Sequence, residues 1–168
     1  MITLNHVLVA TDFGEASDAA LNYGKALART FGAALHVIHV TDDLASHIMP
    51  PALSPINLGP LQAGLERDAQ EMLDARISGE DLLELRARTA IVTSITPGQA
   101  ILDYAGHADI DLIIVGTHGR TGLAHLFLGS IAERIVRSAP CPVLTVRARE
   151  REFVHADALQ TTSTAAPA

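Results

Sequence analysis

Leu112 to Val115 is a run of four apolar residues with no polar alternation, and it stops abruptly at Gly116. A run this short and unbroken suits a strand buried on both faces, which needs helices above and below it. His6 to Ala10 (HVLVA), ending in Thr11-Asp12, makes the same demand, and Ala34 to Val40 (ALHVIHV) is a third such segment. Between the first two, Ala20, Tyr23, Gly24, Leu27 and Phe31 recur at helical spacing until Gly32 stops them. Leu61, Leu65, Ala69, Met72, Leu73 and Ile77 mark a second amphipathic helix, ended by Ser78-Gly79, with Glu80 to Leu85 ambiguous beyond it.

Arg88 to Ile95 alternates weakly, is rich in β-branched residues and is the least apolar of the strands, which places it near a sheet edge. Thr96-Pro97-Gly98-Gln99 fits a capping box with proline at the first helical position, opening a helix to His107. Strands at 111 to 116 and 143 to 146 flank a helix at 130 to 138. Five strands separated by four helices predict a parallel sheet with helices on both faces, joined by right-handed crossovers. The lateral order of the strands stays open at this point. Residues 1 to 148 read as one domain. Residues 41 to 59, with Pro50, Pro51 and Pro55, form a long loop inside it, and residues 149 to 168, ending in TTSTAAPA, form a disordered tail.

The chemistry of the chain concentrates between Asp111 and Arg147. After Gly116 the sequence carries Gly119, Gly122 and Gly129, and Ser130-Ile131-Ala132-Glu133 fits a second capping box. Strand, glycine-rich loop and helix N-terminus together offer free amide donors and the positive end of the peptide dipoles, a natural anion site. Glycine at 116, 119 and 129 permits close backbone approach and positive φ angles.

The spacing Gly116-x2-Gly119-x9-Gly129-Ser130 resembles the ATP-binding signature of the universal stress protein family. VGTHGRTG and APCPVLTVR resemble the last two strands of that family, and VLVATDFGEAS near the start is a second match. The resemblance covers residues 3 to 148. It implies a Rossmann-like, adenine nucleotide alpha hydrolase-like α/β fold with strand order 3-2-1-4-5, and a ligand crevice beyond the carboxyl ends of the strands where the winding reverses.

On that resemblance, Gly116, Gly119, Gly129, Ser130 and the Ile131 N–H surround phosphates, and His118 and Arg120 flank Gly119. Asp12 accepts hydrogen bonds from a ribose, or serves only as a turn or cap aspartate. Val40 meets an adenine edge through its main chain, or is ordinary core, and Ala10 and Thr11 lie beneath the nucleoside. The Ser130 hydroxyl either caps its helix or reaches a phosphate oxygen. Val143, Leu144, Thr145 and Val146 form an apolar edge strand that family members commonly pair across a two-fold axis, so a homodimer is expected.

Other readings fail on the residues. No G-x-x-x-x-G-K-[ST] is present, Gly116-Thr117-His118-Gly119 is not G-x-G-x-x-G, and Asp12-Phe13-Gly14 spells a kinase motif without its catalytic-loop partner. The histidines show no zinc spacing, and His36 and His39 fall on opposite strand faces. A net charge of -7 with Lys25 as sole lysine leaves no basic stripe for nucleic acid. No segment suits a membrane span or an export signal, and Cys141 reads as a small packing residue in a reducing compartment. The expectation is a cytoplasmic ATP-binding stress-response module, with magnesium entering only with the nucleotide and hydrolysis at most slow. Two alternatives stand beside it. One is an ATP hydrolase or self-phosphorylating protein using Ser130 or Thr117; the other is a nucleotide-free structural dimer or interaction protein.

Overall fold

Strand β1 (His6–Ala10) is the centre of the sheet, pairing in parallel with β2 (Ala34–Thr41) on one side and β4 (Leu112–Gly116) on the other. β3 (Arg88–Thr93) adds to β2 and β5 (Val143–Val146) to β4, both parallel. The order β3-β2-β1-β4-β5 is the expected one, with β3 at an edge. The computed structural model describes residues 2–47, 57–117 and 129–148. The expected tail from 149 and the middle of the expected loop at 41 to 59 lie outside these residues.

The pleat sorts the core into two layers. Val7, Val9, Leu35, Val37 and Ile114 point to one face, where α1 (Glu15–Phe31) supplies Ala20, Leu21 and Tyr23 and α3 (Gly59–Asp74) supplies Leu73. Leu8, Ala10, Ile38, Ile113 and Val115 point to the other, covered by Ile101, Leu102 and Ala105 of α5 (Pro97–His107) and Ala132 and Ile135 of α6 (Ser130–Ser138). Crossovers that pass first on one face and then on the other produce this sorting, and the reversal falls between β1 and β4. α1 stops where foreseen: Gly32 takes φ 65 and the Ala33 N–H returns to the Ala28 carbonyl at 2.9 Å.

Local details differ from the sequence reading. β2 runs one residue past Val40, and β3 ends at Thr93, short of Ile95. The segment after β2 contains a short helix, α2 (Leu44–His47), and α3 begins at Gly59, ahead of Leu61. Only the second half of the α3 apolar stripe is buried: Ala69 and Leu73 are inside, whereas Leu61 is 58 % exposed. The ambiguous stretch at 80 to 85 is a separate helix, α4 (Gly79–Glu84), begun by a true capping box between Ser78 and Asp81. Neither foreseen box forms. Thr96 is the N-cap of α5 with Pro97 following, but its side chain makes no cap bond, and Gln99 turns to Asp103 at 2.8 Å. At α6 the N-cap is Gly129; Ser130 lies one residue inside the helix, and Glu133 pairs with Arg137 at 2.9 Å.

Candidate functional site

The β1 to α1 turn is built by hydroxyls and one carboxylate. Thr11 is 6 % exposed; its N–H reaches the Ile38 carbonyl at 2.9 Å, and its hydroxyl accepts the Phe13 N–H at 3.0 Å while donating to Ser17 Oγ at 3.1 Å. Ser17 Oγ in turn donates to the Gly14 carbonyl at 2.9 Å. Asp12 Oδ1 accepts the Gly14 N–H at 3.0 Å, an Asx turn, so the turn role foreseen as one alternative for Asp12 is present. Phe13 follows with φ 66, a left-handed backbone that is uncommon for a residue with a Cβ.

The neighbouring strand ends bring up the other residues. Ala10 lies beside Ile38 and Val115 in the sheet register. Val40, half-buried and paired with Val92, turns its side chain into the layer under α5 and α6. At the end of β4 the Thr117 N–H binds the Val146 carbonyl at 2.8 Å, and the Thr117 carbonyl accepts the Gly129 N–H at 2.7 Å. The glycine-rich loop is thus tied at its neck. His118, Gly119 and Arg120 lie outside the described residues.

Gly116 and Gly129 have reasons other than positive φ, since neither adopts it. A Cβ on Gly116 would meet the first turn of α1, and one on Gly129 would come within 3.1 Å of the Thr117 carbonyl oxygen. The first α6 bond is Glu133 N–H to the Gly129 carbonyl at 2.8 Å, which leaves the Ser130, Ile131 and Ala132 amides without an acceptor inside the helix. Ser130 and Ile131 are exposed there. The structure therefore gathers Ala10, Thr11, Asp12, Val40, Gly116, Gly129, Ser130 and Ile131 at the carboxyl ends of β2, β1 and β4.

Two surface grooves lie elsewhere, on either side of α5. One of about 520 Å³ is lined by Val92, Thr96 and Tyr104 among others, and one of about 400 Å³ by Leu102, Gly106 and Pro140 among others. The first reaches the N-terminus of α5 at Thr96, but neither lies where the winding of the sheet reverses, so the switch point between β1 and β4 is the better candidate. Among the described residues no group of three or more His, Cys, Asp or Glu could hold a metal, and no helix is long and apolar enough to cross a membrane.

The sequence reading missed the support behind the turn. The Phe13 ring stacks on His39 with centroids 4.2 Å apart, and the Arg76 guanidinium lies 5.0 Å from the ring centroid.

Fold and site together define a doubly wound, single-sheet α/β protein with a glycine at the end of β4 and another at the cap of α6, beside its β1/β4 switch point. The model of the universal stress protein family matches residues 3–147, and the chain belongs to that family. A universal stress protein of Thermus aquaticus, encoded in the QAH/OAS sulfhydrylase 3' region, is 33 % identical over 141 residues, covering 84 % of this chain and 97 % of its own. Universal stress protein UspA from Lactobacillus plantarum superposes with TM-score 0.76 at 30 % identity, over 88 % of this chain and 100 % of its own. More distant structures share the fold. A universal stress protein in complex with cAMP has TM-score 0.57 at 21 % identity, over 88 % of this chain and 100 % of its own. One from Archaeoglobus fulgidus in complex with dAMP has TM-score 0.51 at 17 % identity, over 87 % and 99 %.

Proposed function

We propose that this chain binds an adenine nucleotide, ATP in the first instance, in the β1/β4 crevice, and that occupancy regulates a cytoplasmic stress-response module. The observation that carries the reading is the set of Ser130, Ile131 and Ala132 amides without a helical acceptor, at a strand end beside the one that bears Asp12. Such donors at a helix N-terminus suit phosphate. Gly129 fits the cradle, because its missing Cβ keeps the neck at Thr117 closed. In the proposed pose Asp12 meets the ribose, Val40 the adenine edge, Ala10 and Thr11 the floor of the nucleoside, and Gly116, His118, Gly119 and Arg120 the phosphates with Gly129, Ser130 and Ile131. Magnesium enters only on the nucleotide's phosphates, and hydrolysis is slow. Two proteins of this fold hold cAMP and dAMP, which supports an adenine ligand.

Calorimetric titration of the full chain with ATP, AMP, cAMP and NAD tests the reading. Binding of ATP well ahead of NAD is expected, and absence of heat with every adenine nucleotide up to millimolar concentration removes it. The same reading carries a homodimer: β5 is a sheet edge whose Val143, Leu144 and Thr145 stay half-buried, and an unpaired apolar edge invites an isologous partner strand. Light scattering on the wild type and on Leu144→Lys decides this. A dimer lost in the variant is expected, and a wild-type monomer well above micromolar concentration overturns it.

A further inference from the structure

We propose that Arg76 is a positioning residue for Asp12: it holds the strained Phe13 so that the carboxylate keeps its place at the end of β1. The inference rests on the nucleotide reading above and adds to it a residue from the turn that follows α3.

The peptide groups that flank Asp12 and Phe13 are both pinned by side chains from other elements. The Thr11 carbonyl accepts from His39 Nδ1 at 2.8 Å, and the Phe13 carbonyl accepts from Arg76 Nη2 at 3.3 Å. Between them Phe13 sits at φ 66, an uphill conformation for an L residue with a Cβ. Its ring is held by the His39 stack and by the Arg76 cation. Arg76 itself is fixed before it reaches the turn. Nε and Nη2 bind the two Asp18 carboxylate oxygens at 2.7 and 3.3 Å, Nη1 donates to the Met72 carbonyl at 3.1 Å, and the Arg76 carbonyl accepts from Lys25 Nζ at 2.8 Å.

The pairing of Arg76 with Asp18 joins the end of the α3 segment to α1 without involving residue 13. The added contacts go to residue 13, where glycine would take the same backbone without any clamp. A glycine there would leave the turn loose. A phenylalanine held by its ring and its carbonyl gives a turn ordered before any ligand arrives, and preorganisation of that kind raises affinity. His39 supports the turn from β2, and Arg76 closes it from the segment just after α3.

The test is a double-mutant cycle on the full chain, titrated with ATP, with thermal midpoints recorded alongside. Arg76→Ala should weaken ATP binding about tenfold in the wild-type background, the scale expected when one strained residue loses its support. In the Phe13→Gly background, where the left-handed turn is free of strain and only the bond to the residue 13 carbonyl remains to be lost, the same substitution should cost clearly less than in the wild type, about threefold or below. Equal losses in both backgrounds, as plain helix docking would produce, overturn the inference, and so does an Arg76→Ala protein that binds as the wild type. Should Arg76→Ala fail to fold, Arg76→Lys keeps a charge opposite Asp18 but lacks the planar fork, and about threefold weaker binding is expected. Unchanged affinity in that variant overturns the inference equally. A wild type that binds no ATP removes the nucleotide reading and this inference with it, whereas a binding wild type with an unaffected variant removes the inference alone.

Discussion

Gly116 lies so close to Ser17 that a Cβ on the glycine would stand 2.9 Å from the Ser17 nitrogen. The contact joins the end of β4 to the first turn of α1, the two sides of the switch point. Ser17 is buried and its hydroxyl closes the Thr11 to Gly14 turn, so any shift there reaches Asp12. The Ala16 carbonyl carbon is equally near, and neither backbone atom can swing aside as a side-chain tip would. Gly116→Ala is expected to lower unfolding stability by about 1–3 kcal/mol, the range for overpacking a tight contact. Urea denaturation measures it, and a variant as stable as the wild type would refute the close approach.

Asp81 begins α4 and fastens that helix to α1. Its oxygens take Lys25 Nζ at 2.7 Å and Arg29 Nη2 at 2.9 Å, besides the Ser78 N–H and hydroxyl. Burial by itself would raise the Asp81 carboxyl, but the Lys25 hydrogen bond, followed by those from Ser78, prevails and holds it below its ordinary value. Asp81→Asn should cost about 2 kcal/mol, less than the range for a fully buried pair because Lys25 and Arg29 keep some solvent contact. A group lowered in the folded state stabilises in full above its unfolded pKa and loses that contribution as pH falls through the folded value. The wild type should therefore shed stability below about pH 4, and Asp81→Asn should shed less there, as acid titration of the circular dichroism signal will show.

His36 gives the opposite kind of group, a base lowered by burial. It is 2 % exposed, Nδ1 shares a hydrogen bond with the Tyr104 hydroxyl at 2.9 Å, and Nε2 has no partner among the described residues. Burial first, then the charges of His6 and Arg88, lower it from 6.5 to about 4. The unfolded chain binds this proton at the higher pH, so the stabilisation is complete above about pH 6.5 and drains away toward pH 4, by up to roughly 3 kcal/mol. His36→Leu should flatten the stability curve across that window. An unchanged slope between pH 4 and 6.5 would show that His36 is not the group responsible.

The elements that depend on periodicity and burial were legible in the sequence, because HVLVA and LIIVG admit few structures other than doubly buried strands. Strand order was legible only through the family resemblance, since hydrophobic runs carry no lateral address. Cap bonds form at Ser78 and at neither Ser130 nor Thr96: the S/T-x-x-E/Q pattern records which side chains could cap, while the local backbone decides whether they do. At Gly129 an extended residue takes the cap position and moves Ser130 inside. The packing of Gly116 against α1 is a long-range fact that spacing cannot encode. The Phe13, His39 and Arg76 support was invisible for the same reason, joining three segments far apart in the chain.

Asp12 was left with two roles, and one substitution separates them. The Asx turn uses one carboxylate oxygen as acceptor for the Gly14 N–H, and an asparagine side-chain oxygen serves that bond equally well. A ribose hydroxyl bound to the carboxylate is charge-assisted and would be weakened by the same change, since such bonds are about twice as strong as neutral ones. Asp12→Asn is therefore expected to keep the Asx turn while losing more than about tenfold in ATP affinity, from the low end of the roughly 1.5–3 kcal/mol scale of a hydrogen bond to a charged group. Asp12→Ala removes both bonds and should lower stability as well as affinity. If Asp12→Asn binds ATP as tightly as the wild type, the aspartate is a turn residue only, and the sugar is held by other groups in the crevice.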